Sequence, residues 1–411
     1  MDELTGDEDG GSASGGRWRK FHQELIQKQW FNMLVFFLSI YFFIIGIKLM
    51  GSGFKGLGAD FAEGLIETTS NPVVGLCIGV FATAVVQSSS ATTSTVVAMV
   101  LANPSFFPNA IPIVIGANIG TSVTNIIVSL GHIRHPPSFR RAFAGALVHD
   151  FFNVISASLI FPAEWIVRIL TGKGFLERMG EATADALYGS KGFEFDLFHR
   201  LLDPVLEPIE GGIESIGLYP EIMMLVVGII ILFISLSFIT KAARRAIDDK
   251  VQALIDRVLF RNVPTSFIFG LFLTAFIQSS SVTTSIAVPL VGGGILSLEQ
   301  VFPYTLGANV GTTVTALLAA LALASQKNAE DMASADIVLE GRKMALAISF
   351  VHLYFNGLGI LLIGPLKKVP IYLARRVARY MSANRKWAII FLVVVFFVIP
   401  GSVILIDRFI L

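Results

Sequence analysis

The sequence predicts an all-α integral membrane protein made of two inverted-topology repeats, each with a re-entrant hairpin and a broken helix. Three observations predict this. First, 54% of the 411 residues are hydrophobic and only 15% are charged, whereas a soluble domain usually has about 25% charged residues. Second, several apolar stretches are long enough to cross a bilayer, which takes about 20 residues. Third, polar motifs inside the apolar regions occur twice, at a constant spacing.

Five apolar stretches are predicted to be spanning helices, and two longer apolar regions are interrupted by polar residues. The five stretches are 30–50, 143–170, 222–239, 344–363 and 387–406. The interrupted regions, 72–130 and 264–324, are rich in Gly, Ser, Thr and Asn. We interpret each as a re-entrant hairpin followed by a broken helix, because irregular backbone is tolerated at membrane depth only where protein or water covers it.

The distribution of charge predicts which segments lie on which side of the membrane. Lysine and arginine cluster in residues 241–261 and 366–386 and at Arg17, Arg19, Lys20 and Lys28, whereas residues 172–220 are rich in acids. Excess Lys and Arg marks cytoplasmic loops, so we expect a multi-pass plasma-membrane protein with its N-terminus inside and its C-terminus outside. The predicted divisions are a disordered cytoplasmic tail (1–29), repeat 1 (30–171), an extracytoplasmic loop (172–221), repeat 2 (222–364), a basic cytoplasmic segment (365–386) and a final spanning helix (387–411).

The internal repeat is visible in three pairs of motifs. TAVVQSSSATTST at 83–95 and GANIGTSVT at 116–124 recur 191 residues later as TAFIQSSSVTTSI and GANVGTTVT. HDFFN at 149–153 recurs as HLYFN 203 residues later, which predicts a 12-residue insertion within 325–340. The charges at their ends make the equivalent helices antiparallel. The repeat is therefore an inverted one, typical of secondary transporters with a site near the membrane midplane.

The duplicated Gln-Ser-Ser-Ser is the strongest candidate for a binding site. Small hydroxyl residues also let helices pack closely, but that role does not explain a Gln and three serines at matched positions in both halves. Burying so many polar groups without partners would cost about 1–3 kcal/mol each. Hydroxyl, amide and carbonyl oxygens suit a small cation, and hydroxyls with free N–H groups at a helix start suit an oxyanion. The residues alone leave both ligands open.

The second motif pair and one acid complete the candidate site. We expect Gly116–Thr121 and Gly307–Thr312 to be unwound segments that face a cavity, although such glycine motifs also serve close packing. Asp150 is an acid well inside a candidate span, and such residues usually line a pathway.

The two repeated histidines and the absence of nearby basic residues are weaker signals. His149 and His352 fit a structural role as readily as a ligand contact, and Asn153 and Asn356 lie one helical turn further on the same face. No Lys or Arg is near the centre of either motif region, so a bound anion would need helix N-termini and co-bound cations to balance its charge. P-loop, HExxH, nucleophile-elbow and Cys/His-cluster motifs are absent, which argues against an enzyme, and the near-zero net charge gives no sign of nucleic-acid binding.

Together these motifs resemble the type II sodium–phosphate cotransporter family. The resemblance rests on both QSSS motifs, GANIGTSVTN at 116–125, FRRAFAGALVHDFFN at 139–153, GANVGTTVTA at 307–316 and the HxxFN pair, and it covers most of residues 30–400. It implies a sodium-driven symporter of inorganic phosphate, chiefly the divalent form, that works in a lipid bilayer and allows a homodimer. Sodium is then the coupling ion, and no cofactor is expected.

The motifs and the resemblance together give the candidate ligands. The resemblance by itself assigns phosphate to Ser88, Ser89, Ser279 and Ser280, and sodium to Gln278, Ser279, Thr312, Thr315 and Asn153. The phosphate candidates are Gln87, Ser88, Ser89, Ser90, Ser279, Ser280 and Ser281. The sodium candidates are Gln278, Ser279, Thr312, Thr315, Asn309, Asn118, Thr121, Asp150 and Asn153. Ala144, Ala146 and Asp150 match the pattern of the electrogenic members, so we expect electrogenic transport.

Three departures from the animal members suggest a more prokaryotic type of chain. Residues 131–135 lack the Gln and Asp that animal members often carry before FRRAF for sodium binding, residues 172–220 are shorter and free of cysteine, and one helix follows the 366–386 segment where animal members have two. The alternatives are a sodium-coupled carrier of arsenate, sulfate or a carboxylate, a passive anion channel, and a membrane sensor or scaffold.

Overall fold

The computed structural model describes residues 29–188, 196–246, 262–324 and 332–410, and within these ranges the secondary structure is helical. The elements, in chain order, are α1 Gln29–Gly56, α2 Gly58–Thr68, α3 Pro72–Val86, α4 Ser89–Ala102, a 3-10 turn Pro104–Phe106, α5 Phe107–Gly120, α6 Ser122–Leu130, α7 Pro136–Thr171, α8 Phe175–Tyr188, α9 Asp196–Ile216, α10 Pro220–Ala246, α11 Val263–Ile277, α12 Ser280–Gly292, α13 Leu298–Ala324, α14 Met332–Ile363, α15 Lys368–Ala383, α16 Lys386–Val393, a π-helix Val394–Val398 and α17 Ile399–Ile410.

Seven helical segments of the described chain are long and apolar enough to span a membrane, which confirms an all-α integral membrane protein. They are Trp30–Gly56, Pro104–Leu130, Pro136–Thr171, Pro220–Ala242, Leu298–Ala322, Val338–Ile363 and Lys386–Phe409. Five of these coincide with the uninterrupted stretches predicted from sequence. The other two are the second parts of the interrupted regions.

The first parts of the interrupted regions are pairs of short helices. Helices α3 and α4 meet at Gln87-Ser88, and α11 and α12 meet at Gln278-Ser279. Each has 13 to 15 residues, so at 1.5 Å per residue it is about 20 Å long and falls short of a hydrocarbon core of about 30 Å. The chain is therefore broken at the QSSS motifs.

The expected unwinding at the second motif pair is wrong. Gly307–Thr312 lies inside the continuous helix α13, and Gly116–Thr121 lies at the junction of α5 and α6, where Thr121 keeps helical dihedral angles. The glycines instead serve close packing. A Cβ at Gly116 would overlap the carbonyl oxygen of Leu76 in α3, and one at Gly307 would overlap that of Phe267 in α11. The backbone of α3 thus packs closely against α5, and the backbone of α11 packs closely against α13.

The acidic segment is helical where it is described, not an irregular loop. It contains α8 and α9, and α9 packs against α1. Lys48 of α1 is 1% exposed and lies 3.9 Å from the Asp203 carboxylate, while Ser52 donates a 2.7 Å hydrogen bond to Glu210. Burial raises the pKa of Glu210. These contacts hold an amphipathic helix against the spanning helix bundle.

Some sequence expectations lie outside the described residues. These are the N-terminal tail with Arg17, Arg19, Lys20 and Lys28, the basic residues Lys250, Arg257 and Arg261, and residues 325–331 of the stretch in which the insertion is predicted.

The close helix packing predicts that Gly307→Ala destabilises the protein. The added methyl group would force α11 and α13 apart, and overpacking of this kind costs about 1–3 kcal/mol. We expect a lower thermal unfolding midpoint for the purified protein in detergent. Gly357→Ala in α14 is the control, because no heavy atom lies within 4 Å of its added Cβ and Ala is the better helix former. Equal effects of the two substitutions would contradict this packing.

Candidate functional site

Each helix break is formed by a glutamine in a left-handed backbone conformation. Gln87 (φ 59°) ends α3 and Gln278 (φ 58°) ends α11. Such values are uncommon for residues other than glycine, and here the same strained turn occurs at equivalent positions of both halves. The side-chain amide of each Gln donates to a carbonyl of the helix it ends, Gln87 Nε2 to Ala84 and Gln278 Nε2 to Ala275. The side chain therefore satisfies backbone groups that the break exposes.

The serine after each glutamine starts the next helix. Ser88 and Ser279 have extended backbone conformations, and their hydroxyl oxygens accept from Ala91 N (3.2 Å) and Val282 N (3.4 Å). They are N-caps, for which serine is among the preferred residues. The first turns of α4 and α12 therefore begin at the breaks, where the helix dipole is positive.

The two breaks face one another across a single cavity of about 370 Å³. Ser90 of one motif donates a 3.1 Å hydrogen bond to the backbone oxygen of Gln278 in the other. The cavity is lined by Val86, Gln87, Ser88, Phe233, Leu236, Ser237, Thr240, Lys241, Gln278 and Ser279. The structure therefore brings together residues that lie 191 positions apart in the sequence.

The C-terminal part of α10 supplies the wall that the sequence analysis missed. Ser237, Thr240 and Lys241 line the cavity beside both motifs. A bound anion would therefore meet a basic side chain after all, contrary to the expectation from sequence, because Lys241 lines the same cavity. Lys241 could not be assigned to the site from sequence because it is far from both motifs along the chain. The polar residues near the end of the otherwise apolar helix α10 are the sequence feature that could have indicated it.

The remaining serines of the motifs are buried behind the cavity wall. Ser89, Ser90, Ser280 and Ser281 are each at most 4% exposed and lie in the first turns of α4 and α12. The backbone oxygens of Ser89 and Ser280 accept from Thr93 and Thr284 of the same helices. These serines therefore lie beside the cavity without lining it.

The asparagines and histidines of the two halves form one buried network. His149 Nε2 lies 2.6 Å from the side-chain oxygen of Asn309, and in the twin contact His352 Nε2 lies 3.2 Å from that of Asn118. Asn153 connects the halves further, because its amide donates to the Asn118 backbone oxygen (2.9 Å) and its oxygen accepts from Asn309 (2.6 Å). The candidates Asn118, Asn153 and Asn309 are thus together, and the two histidines hold them.

The threonines of the second motif pair are not equivalent in their contacts. Thr121 and Thr312 both donate to the backbone four residues earlier. Thr124 donates to Gln87 Oε1 at 2.9 Å. The twin of that bond is absent, since Thr315 Oγ1 and Gln278 Oε1 are both buried with no hydrogen-bond partner among the described residues. The second half therefore has two unsatisfied oxygen atoms where the first half has a hydrogen bond.

Asp150 is buried in α7 with 3% of its surface exposed. Its Oδ1 atom makes no hydrogen bond within standard geometry in the described part of the chain, and the hydroxyl group beside the carboxylate is that of Ser122. A buried carboxylate oxygen without a partner is costly. It is therefore a candidate cation contact.

Known proteins resemble this chain over both halves. A family model described as Na+/Pi-cotransporter matches residues 42–176 and 231–369. Sodium-dependent phosphate transport protein 2A of sheep (Ovis aries) is 31% identical over 89% of this chain and 66% of its own length. Sodium-dependent phosphate transport protein 2B of human (Homo sapiens) is 32% identical over 89% of this chain and 63% of its own length. The chain thus spans slightly less than two thirds of the length of these relatives. No solved structure matches it.

Proposed function

This chain belongs to the Na+/Pi-cotransporter family, and on that premise we propose that it is a secondary transporter that moves inorganic phosphate together with sodium. The observation that carries the proposal is the cavity in which the two helix breaks meet. Two helix N-termini, four polar motif side chains and Lys241 converge there, which is a chemistry suited to a small oxyanion. The names of the relatives point to the same ion, since they are sodium-dependent phosphate transport proteins.

We place phosphate between the first turns of α4 and α12. Gln87, Ser88 and Ser279 line the cavity and offer amide and hydroxyl groups. The first N–H groups of both helices have no acceptor within their own helix, and the buried serines Ser89, Ser90, Ser280 and Ser281 contribute their backbone to these turns. Hydrogen bonds to a charged group contribute about 1.5–3 kcal/mol each, so a few such donors can hold a dehydrated phosphate.

We place one sodium ion at the unsatisfied oxygens of the second half. Gln278 Oε1 and Thr315 Oγ1 have no hydrogen-bond partner among the residues that the structure describes, and Ser279 and Thr312 belong to the same turns. Hard cations prefer oxygen ligands of this kind. In the first half, the bond between Thr124 and Gln87 already satisfies the equivalent atoms. This difference between the twins supports a cation at Gln278, and Asp150 with Asn153 is the candidate for a further sodium.

We propose alternating access by two inverted repeats. The support is the reciprocal pairing of His149 with Asn309 and of His352 with Asn118, which is the pattern that a two-fold relation produces. The cavity is bounded by Lys241, the start of the basic segment that we predict to be cytoplasmic. In this conformation it would open toward the inside of the cell.

Sodium-driven uptake of radiolabelled phosphate into proteoliposomes tests the function. We expect accumulation above the outside concentration when a sodium gradient is imposed, and none when potassium replaces sodium. Downhill flux that ignores the sodium gradient would indicate a passive channel instead. Excess unlabelled arsenate, sulfate or succinate in the assay distinguishes another oxyanion, because the preferred substrate competes most strongly.

Substitution of Lys241 by Gln tests its part in anion binding. Removing one exposed positive charge at the cavity should raise the KM for phosphate several-fold, on the order of 1 kcal/mol, and flatten its dependence on ionic strength. Lys241→Arg should keep most of the affinity. Arg245→Gln is the matched control, since Arg245 is on the same helix but does not line the cavity. An unchanged KM in K241Q would exclude this role.

Substitution of Asp150 by Gly tests whether transport is electrogenic. The carboxylate is the candidate contact for the sodium ion that makes the cycle carry net charge. We expect D150G to retain sodium-dependent phosphate uptake but lose the current, measured on proteoliposomes at a solid-supported membrane. A variant that transports with its current intact would contradict this assignment.

A further inference from the structure

A second cavity, of about 270 Å³, lies among four arginines and shares no residue with the cavity at the helix breaks. Arg140 and Arg141 come from the second turn of α7, and Arg375 and Arg379 come from α15. The turn between α12 and α13 closes the remaining side. The full lining is Arg140, Arg141, Ala144, Val291, Leu296, Ser297, Leu298, Arg375 and Arg379.

The charge of this arginine cavity is unbalanced. One nitrogen of Arg375, Nη2, donates to both carboxylate oxygens of Glu299, at 2.8 and 3.0 Å. Arg141 donates to the Gly292 carbonyl from Nε and Nη2, at 3.1 and 2.8 Å. The guanidinium groups of Arg140 and Arg379 make no hydrogen bond or ion pair with the described residues. Within the described part of the chain, Glu299 pairs with Arg375, and the guanidinium groups of the other three arginines have no carboxylate partner. Like charges gathered around one cavity repel each other, so the arrangement favours a bound anion.

Helix geometry adds positive potential. Helices α7 and α13 begin beside the cavity, at Pro136 and Leu298, and their N-terminal ends carry positive partial charge. Guanidinium groups match phosphate oxygens in a bidentate geometry. The site therefore suits a phosphate group better than a carboxylate or a halide.

The cavity lies at the level of a membrane surface. Spans Pro136–Thr171 and Leu298–Ala322 begin at it, and α15 leads directly into the span Lys386–Phe409. The side chains of Tyr372, Tyr380 and Trp387, on α15 and at the start of that span, are 46–69% exposed. Tyrosine and tryptophan are enriched at the membrane–water interface. Basic pockets between spanning helices at this depth are suited to lipid head groups.

We propose that the arginine cavity binds a phosphate group, and that the anionic head group of a phospholipid of the adjoining leaflet supplies it. Arg140 and Arg379 contact the phosphate oxygens, while Arg141 and Arg375 are held in place by Gly292 and Glu299. The bound lipid ties α15 to α7, and hence the segment before the last span to the helix that carries Asp150 and Asn153. The proposal is independent of what the cavity at the helix breaks transports.

The test is thermal unfolding of the purified full chain with short-chain lipids in a sodium-free potassium buffer. Dioctanoyl phosphatidylglycerol should raise the unfolding midpoint of the wild type, and dioctanoyl phosphatidylcholine should not. In the double variant R140Q/R379Q the apparent affinity for phosphatidylglycerol should fall about tenfold for each guanidinium removed. The variant R140K/R379K keeps both charges, so its apparent affinity for phosphatidylglycerol should fall less than that of R140Q/R379Q.

The controls separate the sources of phosphate. Arg376→Gln removes a charge from the same helix at a residue that bonds Tyr372 and does not line the cavity, so its affinity should match the wild type. If inorganic phosphate stabilises the wild type but not R140Q/R379Q, the cavity is an oxyanion site whose ligand is free phosphate. The lipid part of the proposal would then be wrong. Stabilisation by phosphatidylglycerol that is equal in wild type and R140Q/R379Q, or absent from both, would overturn the proposal.

Discussion

The structure depends on one constraint: a broken helix at membrane depth must have its backbone polar groups satisfied by protein or by a ligand. Lipid offers no hydrogen bonds, yet α3 and α11 end after only 15 residues each. The side-chain amides of Gln87 and Gln278 satisfy carbonyls of the helices they end, and the hydroxyls of Ser88 and Ser279 cap the helices that follow. The first N–H groups of α4 and α12 lack intrahelical acceptors. The cavity is where these groups can meet an anion.

The glycines and asparagines of the second motif pair help to meet the same requirement, because they let protein cover the backbone of the short helices. Backbone contact at Gly116 and Gly307 brings α5 and α13 against the short helices and covers them with protein. The opposite faces of α5 and α13 present Asn118 and Asn309 to the histidines of α7 and α14. One motif therefore packs a short helix and joins the two halves at once. The six residues of each motif, Gly116–Thr121 and Gly307–Thr312, therefore provide both the close packing and the polar contacts.

The spans could be predicted from the sequence because apolar length indicates them directly. The repeated motifs are visible in the sequence itself, and the inverted repeat inferred from them stays a prediction. The helices of the acidic segment 172–220 were harder to predict. Helices α8 and α9 are amphipathic, and their apolar residues do not form the continuous stretch that identifies a spanning helix. The continuity of α13 could not be predicted either, since Gly, Asn and Thr favour irregular backbone locally and only packing against α11 shows why the helix persists. Lys241 was missed because its role depends on how α10 packs beside the breaks.

The two halves differ most where their chemistry would be used. In the first half Thr124 donates a hydrogen bond to Gln87, whereas the side-chain oxygens of Thr315 and Gln278 have no partner in the described part of the chain. In the proposed assignment, one copy of the motif keeps a structural hydrogen bond while the other binds a cation in its place. That cation would lie next to the N-terminal turn of α12, where it would offset charge on a bound phosphate. Lys241 adds positive charge from the exposed side, but an exposed charge is screened by solvent, so it assists entry more than it replaces the ion. Under the proposed assignment, coupling of sodium to phosphate would follow from electrostatics, because each ion would offset part of the charge of the other in the buried part of the site.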